Sequence, residues 1–388
     1  MAKTTYKKKV KNGKEYYFFR MRHENLKTPK DLYGSTTKEL DQKIKELKNR
    51  LDNNILDNKE YFETFLYNWL FDVKFMELKE STKERYEILY RKYIKDSYVS
   101  KIKIKDISLQ DIQAYYADLL KKDTSVNCIS NVHKIIAPCI RYAYDNDIIL
   151  KDFTKAIKLP KENEEDKLSR ESKVQPLTLE EQKQFVNAIK GHELETLFLT
   201  ALNTGMRQGE LFALTWNDID FDKCYIDVNK SAKGVTPLTK DGGRGHYTTI
   251  VQTPKTKGSI RKVPVPKTLL EQLKHFKVQQ LENKLALANL YNDNNLVFCT
   301  MFGKYFNSAN VRKRFNHVLQ TLGIEHHRFH DLRHTYATRL FELGENPKTV
   351  QTLLGHSNIA TTLNTYTHVL TSMKESAANK LDELFKTM

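Results

Sequence analysis

Three hydrophobic patterns follow one another along the 388 residues. In the first, polar and aromatic positions alternate in KEYYFFRMR, directly after the pair Asn12-Gly13, which is a strong β-hairpin signal. The next stretch, STTKELDQKIKELKNRL, has leucine and isoleucine at helical spacing and begins with Ser35 or Thr36 as its candidate N-cap. These patterns predict a small sheet within residues 6–34, followed by one helix.

The second pattern runs from about Tyr61 to Lys158 and is helical throughout. Apolar residues recur every three or four positions, glycine and proline are rare, and four helices are predicted. Ser81 and Ser108 each precede a periodic segment with an acid three residues later, so both are predicted to be helix N-caps. The charged stretch LPKENEEDKLSRESKVQPLT then has few apolar residues, which predicts an interdomain linker.

The third pattern, from residue 177 onward, mixes helices and strands. After Asp220 the hydrophobic period changes to that of strands in KCYIDVN, HYTTIVQT and SIRKVPVP. These segments predict one small antiparallel sheet, with the turn TPKTKGS between the last two strands. The stretch SAKGVTPLTKDGGRGH, within residues 230–246, lengthens the first connection, and we assign it no role.

The patterns divide the chain into four predicted segments. They are an N-terminal module (1–57), a helical domain (58–160), a linker (161–176) and a C-terminal domain (177–388). The predicted fold class is multidomain and mainly α, with a small β-sheet plus helix module first and an α+β domain with a small antiparallel sheet last.

The last residues, TSMKESAANKLDELFKTM, predict an amphipathic tail helix. Its apolar face consists of Met373, Ala377, Leu381, Leu384 and Phe385. This helix packs either on its own domain or on a neighbouring subunit, and the sequence leaves both alternatives open.

Composition narrows the class of protein. A hydrophobic content of 39% with 11% aromatics is enough for globular cores. Lysine and arginine outnumber the acids by 64 to 48, a net charge of +16, so the expected partner is a polyanion, with nucleic acid ahead of an anionic membrane. No run of apolar residues is long enough for a membrane span, and the cysteines are widely spaced without a CxxC pair. We therefore expect a cytoplasmic protein with no membrane partner and no zinc ribbon or disulfide framework.

Positive charge is concentrated at the N-terminus. Residues 1–30 hold ten Lys or Arg against two acids, an excess of +8. Within a structured sheet these cations predict an arm that binds DNA, whereas the alternative is a solvated basic tail. The candidate DNA-binding residues are Lys7, Lys8, Lys9, Lys11, Lys14, Arg20 and Arg22.

The segment TGMRQGEL carries the first candidate for chemistry. Thr204 and Gly205 interrupt a helix just before Arg207, and another helix is predicted to begin there. An arginine at a helix start is suited to bind a phosphate beside the backbone N–H groups. An ion pair between Arg207 and Glu210 that only closes the helical turn would give the same pattern.

Two further segments carry cations. The turn TPKTKGS offers Lys255 and Lys257, which in isolation are typical of a solvated turn. In HHRFHDLRHTYATRLFELG, His330 and Arg333 share a face if a helix begins at Asp331 and continues to Leu343.

Metal binding is the competing interpretation of the second segment. His326, His330 and His334 are spaced by four residues, as ligands on one helix face would be. No carboxylate or cysteine completes such a set, however, and Arg333 would bring positive charge next to the metal ion. No metal site is therefore expected.

A tyrosine and a histidine complete the set, in LLGHSNIATTLNTYTHVL. Arginine forks and histidines around Tyr366 suit attack on a phosphodiester, because they neutralise negative charge on the non-bridging oxygens without a metal. Ionising an unperturbed phenol at pH 7 costs about 4 kcal/mol, so a base or the cationic field must offset this cost. A hairpin lysine can protonate the departing sugar oxygen.

These motifs, TGMRQGEL, PKTKGSIRKVPVP, HDLRHTYAT and LGHSNIATTLNTYTHV, occur in the order found in tyrosine recombinases. The chain resembles this family, the lambda-type phage integrases, and the order of its domains is similar to that of integrases from conjugative transposons. The resemblance implies that Arg207, Lys255, His330, Arg333 and His356 are catalytic and that Tyr366 is the nucleophile. Lys257 remains an alternative to Lys255, because a shift of the turn would exchange them.

The resemblance also implies the reaction and its partners, and it implies no cofactor and no nucleotide. Cleavage would give a 3'-phosphotyrosyl link and a free 5'-hydroxyl, and strand exchange would pass through a Holliday junction in a homotetramer. The expected partners are double-stranded attachment sites of core and arm types and an excisionase-like directionality factor. Two alternatives are a topoisomerase-like enzyme, acting on one site as a monomer, and a catalytically silent DNA-binding regulator.

Overall fold

The computed structural model describes residues 6–11, 13–23, 29–52, 60–162, 175–238, 243–254, 257–324, 327–366 and 385–386. The chain divides into two compact units. Unit 1 comprises Met1–Asn163 with Leu238–Gly243, and unit 2 comprises Glu164–Pro237 with Arg244–Met388. Among the described residues, no helix is long and apolar enough to cross a membrane.

Unit 1 begins with the predicted hairpin and helix. Strands β1 (Lys7–Lys11), β2 (Lys14–Met21) and β3 (Lys30–Gly34) form an antiparallel sheet in the order β1-β2-β3, and helix α1 spans Thr37–Asp52. Lys11 pairs with Lys14, so two residues connect the strands, and Gly13 adopts a φ of +74°. Both the hairpin and the helix are therefore confirmed.

The two faces of this sheet differ in character, because side chains alternate along each strand. Met21 and Leu40 of α1 are buried on one side. On the other side Lys9 lies over the Phe18 ring at 4.0 Å, and Phe18 contacts Tyr33 with ring centroids 5.4 Å apart. We call this second face, which carries Tyr16, Phe18 and Tyr33, the aromatic face. The first face also holds a lysine over a ring, Lys8 over Tyr17 at 5.5 Å, and it differs by the buried Met21.

The rest of unit 1 is helical, as predicted. Over its described residues after α1, the α-helices are α2 (Phe62–Asn68), α3 (Glu80–Leu89), α4 (Leu109–Lys121) and α5 (Val126–Asp145). Ser108 caps α4 in a reciprocal capping box with Asp111, which confirms that N-cap. The Ser81 cap is wrong: α3 begins at Glu80 with Lys79 as N-cap, and Glu80 places negative charge at the positive end of the helix dipole.

Unit 2 packs helices around a core that includes Phe185, Phe198, Phe315 and Phe329. Neighbouring rings in this group have centroids 5.6 to 6.1 Å apart and are mainly tilted or edge-on, the favoured aromatic geometry. The helices of unit 2 are α6 (Leu179–Ala188), α7 (Glu195–Thr204), α8 (Gln208–Ala213), α9 (Lys267–Leu287), α10 (Ser308–Thr321), α11 (Asp331–Glu342), α12 (Pro347–Leu354) and α13 (Ile359–Thr365).

The strands of unit 2 correct one expectation. Strands β4 (Ile219–Asp220), β5 (Tyr225–Val228) and β8 (Arg261–Pro264) form one sheet, and β6 (Ser231–Val235) with β7 (Thr248–Gln252) forms another. The predicted single sheet is therefore wrong, and the TPKTKGS turn joins strands of two different sheets. The reason is β6, which lies in the segment to which no role was assigned and buries Ala232 and Val235. The glycine and polar residues of β6 weaken the alternating hydrophobic pattern from which a strand is predicted.

Gly205 gives a prediction about stability. It follows α7 with a φ of +59°, and a Cβ added there would lie 2.4 Å from Cδ1 of Tyr336. Gly323 has a similar φ of +69° but nothing within 4 Å of an added Cβ. We expect Gly323→Ala to lower the free energy of unfolding of unit 2 by about 1 kcal/mol, from backbone strain alone, and Gly205→Ala by about 3 kcal/mol. Denaturant titration measures both, and equal losses would contradict the packing argument.

Candidate active site

Arg207 lies at the junction between α7 and α8. It is the N-cap of α8, and 37% of its side-chain surface is exposed. Its Nη1 donates to Oε1 of Glu210 at 2.9 Å, and its backbone N–H donates to Oε2 at 2.8 Å. The ion pair foreseen as an alternative is therefore present, and it holds a partly exposed guanidinium in place.

Glu210 is buried and binds a second arginine. Arg261, which is also buried, donates from Nη2 to Oε2 at 2.8 Å and from Nη1 to Oε1 at 3.2 Å. Burial acts to raise the pKa of Glu210, but the hydrogen bonds and charges of Arg261 and Arg207 outweigh it and lower the pKa. Two arginines around one carboxylate leave one net positive charge.

Arg261 also reaches the opposite side of the site, since its Nε donates to the carbonyl oxygen of Leu353 at 2.6 Å. The sequence motifs did not identify Arg261 as part of the site, although its position in the strand pattern was a usable signal. In the strand RKVPV, Arg261 occupies the same inward phase as Val263 and Val265, which are buried. A charged residue in an inward strand position requires a buried partner, and here that partner is Glu210.

Arg333 joins two turns of the backbone. Only 2% of this residue is exposed, and it lies on α11, which begins at Asp331 as predicted. Its Nη1 donates to the carbonyl oxygen of Gly205 at 2.7 Å, and its Nη2 donates to that of Leu354 at 2.6 Å. Burial, together with the nearby charge of Arg207, lowers the pKa of Arg333 to about 9, so it remains cationic at neutral pH.

The turn that follows α12 brings His356 to the arginines. Gly355 ends the helix with a φ of +66°, and its carbonyl oxygen lies 3.5 Å from Nη2 of Arg207. A Cβ at Gly355 would stand 3.1 Å from the Arg261 side chain, so glycine permits this close approach. Arg207, Arg261 and Arg333 therefore all contact the segment immediately before His356.

The two histidines named from the sequence are neutral at neutral pH. Burial of the rings, with the charges of Arg333 and Arg207, lowers the pKa of both His330 and His356 to about 4. Nδ1 of His356 is hydrogen-bonded to the hydroxyl of Thr362 at 2.9 Å. Neutral imidazoles can donate a hydrogen bond to a phosphate oxygen or accept one from a hydroxyl.

Tyr366 follows α13, and none of its surface is exposed. Its hydroxyl is hydrogen-bonded to Nδ1 of His334 at 2.9 Å, and its ring contacts Phe341 with centroids 5.4 Å apart. Burial raises the pKa of Tyr366 above its usual range, partly opposed by the charge of Arg333. His334 is the second residue whose part in the site was missed, because the sequence places it 32 positions from the tyrosine.

Several sequence predictions lie outside the described residues. Lys255 is one of them, and the choice between Lys255 and the neighbouring Lys257 stays open. His326 of the alternative metal set is another, and the part of the chain that the structure describes holds no group of three or more His, Cys, Asp or Glu that could bind a metal. The proposed tail helix is described only at Phe385 and Lys386.

The basic residues of the N-terminal sheet separate by face. Lys7 pairs with Phe18, Lys9 with Tyr16 and Arg20 with Asp31, so these three cations and Lys14 share the aromatic face by alternation. The backbone of Lys11 pairs with Lys14, and its side chain lies outside the described part of the chain. Lys8 pairs with Tyr17 on the opposite face and forms an ion pair with Glu15 at 3.1 Å. Arg22 follows the end of β2.

The arrangement around Arg207 and Arg333 can stabilise an anion. It combines the partly exposed guanidinium of Arg207, the buried guanidinium of Arg333 and the neutral imidazoles of His330 and His356 near the turns at Gly205 and Gly355. Such fixed cations favour the charge that develops on a phosphodiester under attack. The hydroxyl of Tyr366 is buried and is hydrogen-bonded to His334.

Comparisons with known proteins agree with this chemistry. Residues 175–373 match the phage integrase family, and residues 61–120 match the phage integrase N-terminal SAM-like domain. A tyrosine recombinase XerC-like protein of Caldanaerobacter subterraneus subsp. tengcongensis is 40% identical over 396 residues, which cover 99% of each chain.

Two solved structures share the fold. The Tn1549 transposon integrase in complex with a circular intermediate DNA matches with a TM-score of 0.60 and 21% identity, covering 79% of this chain and 95% of that chain. A lambda integrase tetramer bound to a Holliday junction matches with a TM-score of 0.53 and 17% identity, covering 89% of this chain and 90% of that chain. The mainly helical architecture with small antiparallel sheets is thus that of tyrosine recombinases. The family match and the 40% identical relative of nearly equal length show that this chain belongs to the phage integrase family and is a tyrosine-type site-specific DNA recombinase.

Proposed function

We propose that this recombinase integrates a mobile DNA element and excises it again, with Tyr366 as the nucleophile. The tyrosine oxygen attacks phosphorus, forming a 3'-phosphotyrosyl bond, and the other strand end leaves with a free 5'-hydroxyl. Attack of a 5'-hydroxyl on that bond rejoins the DNA and releases the tyrosine, so no nucleotide cofactor is required. One observation supports this proposal best: two arginines and two histidines lie near the turns at Gly205 and Gly355. These residues are Arg207, Arg333, His330 and His356.

Each of these residues has a distinct part in the proposal. Arg207 presents its partly exposed guanidinium to the non-bridging oxygens, and the buried Arg333 supplies a fixed positive charge. His330 and His356 form hydrogen bonds at the same phosphate while remaining neutral. Lys255 protonates the leaving 5'-oxygen, with Lys257 as the alternative general acid.

The proposal also covers DNA binding and assembly. The helical domain (58–160) and the C-terminal domain (177–388) clamp the core site, and the N-terminal module (1–57) binds arm-type sites. Four copies assemble on a Holliday junction, as in the lambda integrase tetramer, and an excisionase-like factor sets the direction. The net charge of +16 favours binding to DNA, which is a polyanion. The protein acts in the cytoplasm, where the DNA of the element is accessible.

The first prediction concerns the nucleophile. Tyr366→Phe removes the attacking oxygen but keeps the ring in its apolar pocket, so we expect DNA affinity to persist and the covalent protein–DNA adduct to disappear. The substrate is a nicked duplex with an attachment sequence selected by binding from a DNA library, and denaturing gels detect the adduct. Tyr336→Phe, on α11, is the matched control and should still form it.

An adduct that persists in Tyr366→Phe would overturn the assignment. The same substrates separate the alternatives: a topoisomerase-like enzyme relaxes a plasmid with a single site, whereas a recombinase requires paired sites to exchange strands. A silent regulator binds the sequence and forms no adduct in the wild type.

The second prediction concerns the buried carboxylate. Glu210→Gln leaves Arg261 buried without a counter-charge, so we expect the free energy of unfolding to fall by about 3 kcal/mol. The double variant Glu210→Gln/Arg261→Met removes the buried cation as well and should recover at least about 1 kcal/mol of this loss. Adduct formation should stay low in both variants, because Arg207 has lost the carboxylate that orients it. Recovery of adduct formation in the double variant would contradict the proposed role of Glu210.

The third prediction concerns the N-terminal sheet. Lys7→Ala/Lys9→Ala removes two cations from the aromatic face, whereas Lys8→Ala/Lys30→Ala removes two from the opposite face. If the aromatic face binds arm-type DNA, only the first pair should lower the slope of log Kd against log salt, by about 2. Adduct formation on a duplex with a core site alone should be unchanged in both. Equal effects of the two pairs would show that the sheet acts only through net charge.

A further inference from the structure

The hydroxyl of Tyr366 occupies a defined polar position within an apolar pocket. The tyrosine is fully buried in a cluster with Ala337, Phe341, Val350 and Leu354. A buried hydroxyl without a partner is costly, so such groups are nearly always hydrogen-bonded. The 2.9 Å bond to Nδ1 of His334 meets this requirement and makes the buried position stable.

His334 lies one helical turn from His330 along α11. Their rings meet edge to face, with centroids 4.9 Å apart, and four residues of helix correspond to a rise of about 6 Å. His330 belongs to the cationic group that we propose for phosphate binding. The Tyr366 hydroxyl is therefore held by a histidine one turn behind the one assigned to the phosphate.

The surroundings of His334 keep it neutral. Burial and the charges of His330, Arg333, His356 and Arg328 lower its pKa to about 3. A neutral Nδ1 forms one hydrogen bond to a phenol without attracting an anion of its own. The bond to Tyr366 is thus uncharged, of the modest strength that a conformational change can break.

The helix that leads to Tyr366 is held at one further point. Thr362, on α13, is buried, and its hydroxyl is hydrogen-bonded to Nδ1 of His356 at 2.9 Å. The two histidine contacts therefore hold α13 and the tyrosine that follows it in the buried position. His356 belongs to the proposed phosphate site itself, whereas His334 contacts the tyrosine and lies behind that site.

We propose that His334 is a positioning residue that holds Tyr366 withdrawn until bound DNA draws the hydroxyl toward the cationic group. This inference rests on the proposed function, in which Tyr366 is the nucleophile. It assigns His334 no bond to the phosphate. The hydrogen bond between His334 and Tyr366 must break before the hydroxyl can reach the cationic group. The strength of this bond therefore limits how readily an incompletely assembled complex cleaves DNA.

The geometry of the bond permits variants that separate loss of the hydrogen bond from loss of side-chain volume. An asparagine amide can occupy the position of the imidazole Nδ1, whereas a glutamine amide reaches the position of Nε2. His334→Asn should therefore preserve the contact, and His334→Gln should lose it with a side chain of similar size. His334→Ala removes the ring entirely, and the Asn and Gln pair decides the outcome if the alanine variant does not fold.

The first measurement follows the position of Tyr366 in the full chain without DNA. Tetranitromethane nitrates accessible tyrosines, and peptide mass spectrometry gives the rate at Tyr366. We expect slow nitration in the wild type and in His334→Asn, and nitration about tenfold faster in His334→Gln and His334→Ala, the effect of one lost hydrogen bond. Thr365→Ala, which removes a hydroxyl bonded to Thr361 within α13, is the control and should match the wild type.

The second measurement is the rate of adduct formation on an isolated half-site with a nick. We expect His334→Gln to form the adduct faster than the wild type by a similar factor, with unchanged DNA affinity, and His334→Asn to match the wild type. A slower rate in His334→Gln would overturn the withdrawn role and point to His334 as a proton acceptor.

The nitration results can also overturn the proposal. Wild-type rates in His334→Gln and His334→Ala would show that His334 does not hold the tyrosine, and equal acceleration in all three variants would show that ring packing, not the Nδ1 bond, does so. Absence of an adduct in the wild type would refute the proposed function while leaving the nitration comparison valid.

Discussion

The buried charge beneath the site is the constraint on which the other features of unit 2 depend. Glu210 and Arg261 are removed from water together, and Arg333 is buried with its two Nη groups on backbone carbonyls. Burying such groups is unfavourable unless each is paired with good geometry. The fold meets this condition by bringing the end of α7, the start of α8, strand β8 and the end of α12 to one place. The same contacts determine where Arg207 and His356 lie.

This arrangement explains why two glycines are needed. The carbonyl groups that accept from Arg333 and contact Arg207 belong to turns at Gly205 and Gly355, both in the left-handed region. At each position a Cβ would strike or crowd a neighbouring side chain, Tyr336 at Gly205 and Arg261 at Gly355. Backbone conformation and buried charge are therefore one requirement here, since the carbonyls can face the arginines only if the turns are tight.

The site consists of two parts with different degrees of constraint. The arginines are fixed by hydrogen bonds that span the sequence, so the cationic part is preorganised for the phosphate site that we propose. Tyr366 follows the short helix α13 and is held by apolar packing and one neutral hydrogen bond to His334. In the function that we propose, preorganised cations and a buried phenol favour binding of DNA before its cleavage.

The sequence by itself determined the local features. The hairpin at Gly13, the cap at Ser108 and the start of α11 at Asp331 follow from turn, capping and periodicity rules that act over a few residues. The order of motifs was also enough to indicate the family, and each motif includes groups suited to phosphate chemistry.

Only the tertiary structure decided which residues meet. Arg261 contacts Glu210 across 51 positions and Leu353 across 92, and His334 contacts Tyr366 across 32, distances at which spacing rules carry no information. The pairing of β6 with β7 was missed for a related reason, because Gly234 and polar neighbours weaken the strand pattern and pairing with β7 supplies the stability. Sequence patterns report local preference, whereas the partners of buried charges and hydroxyls are fixed by how the packed elements enclose them.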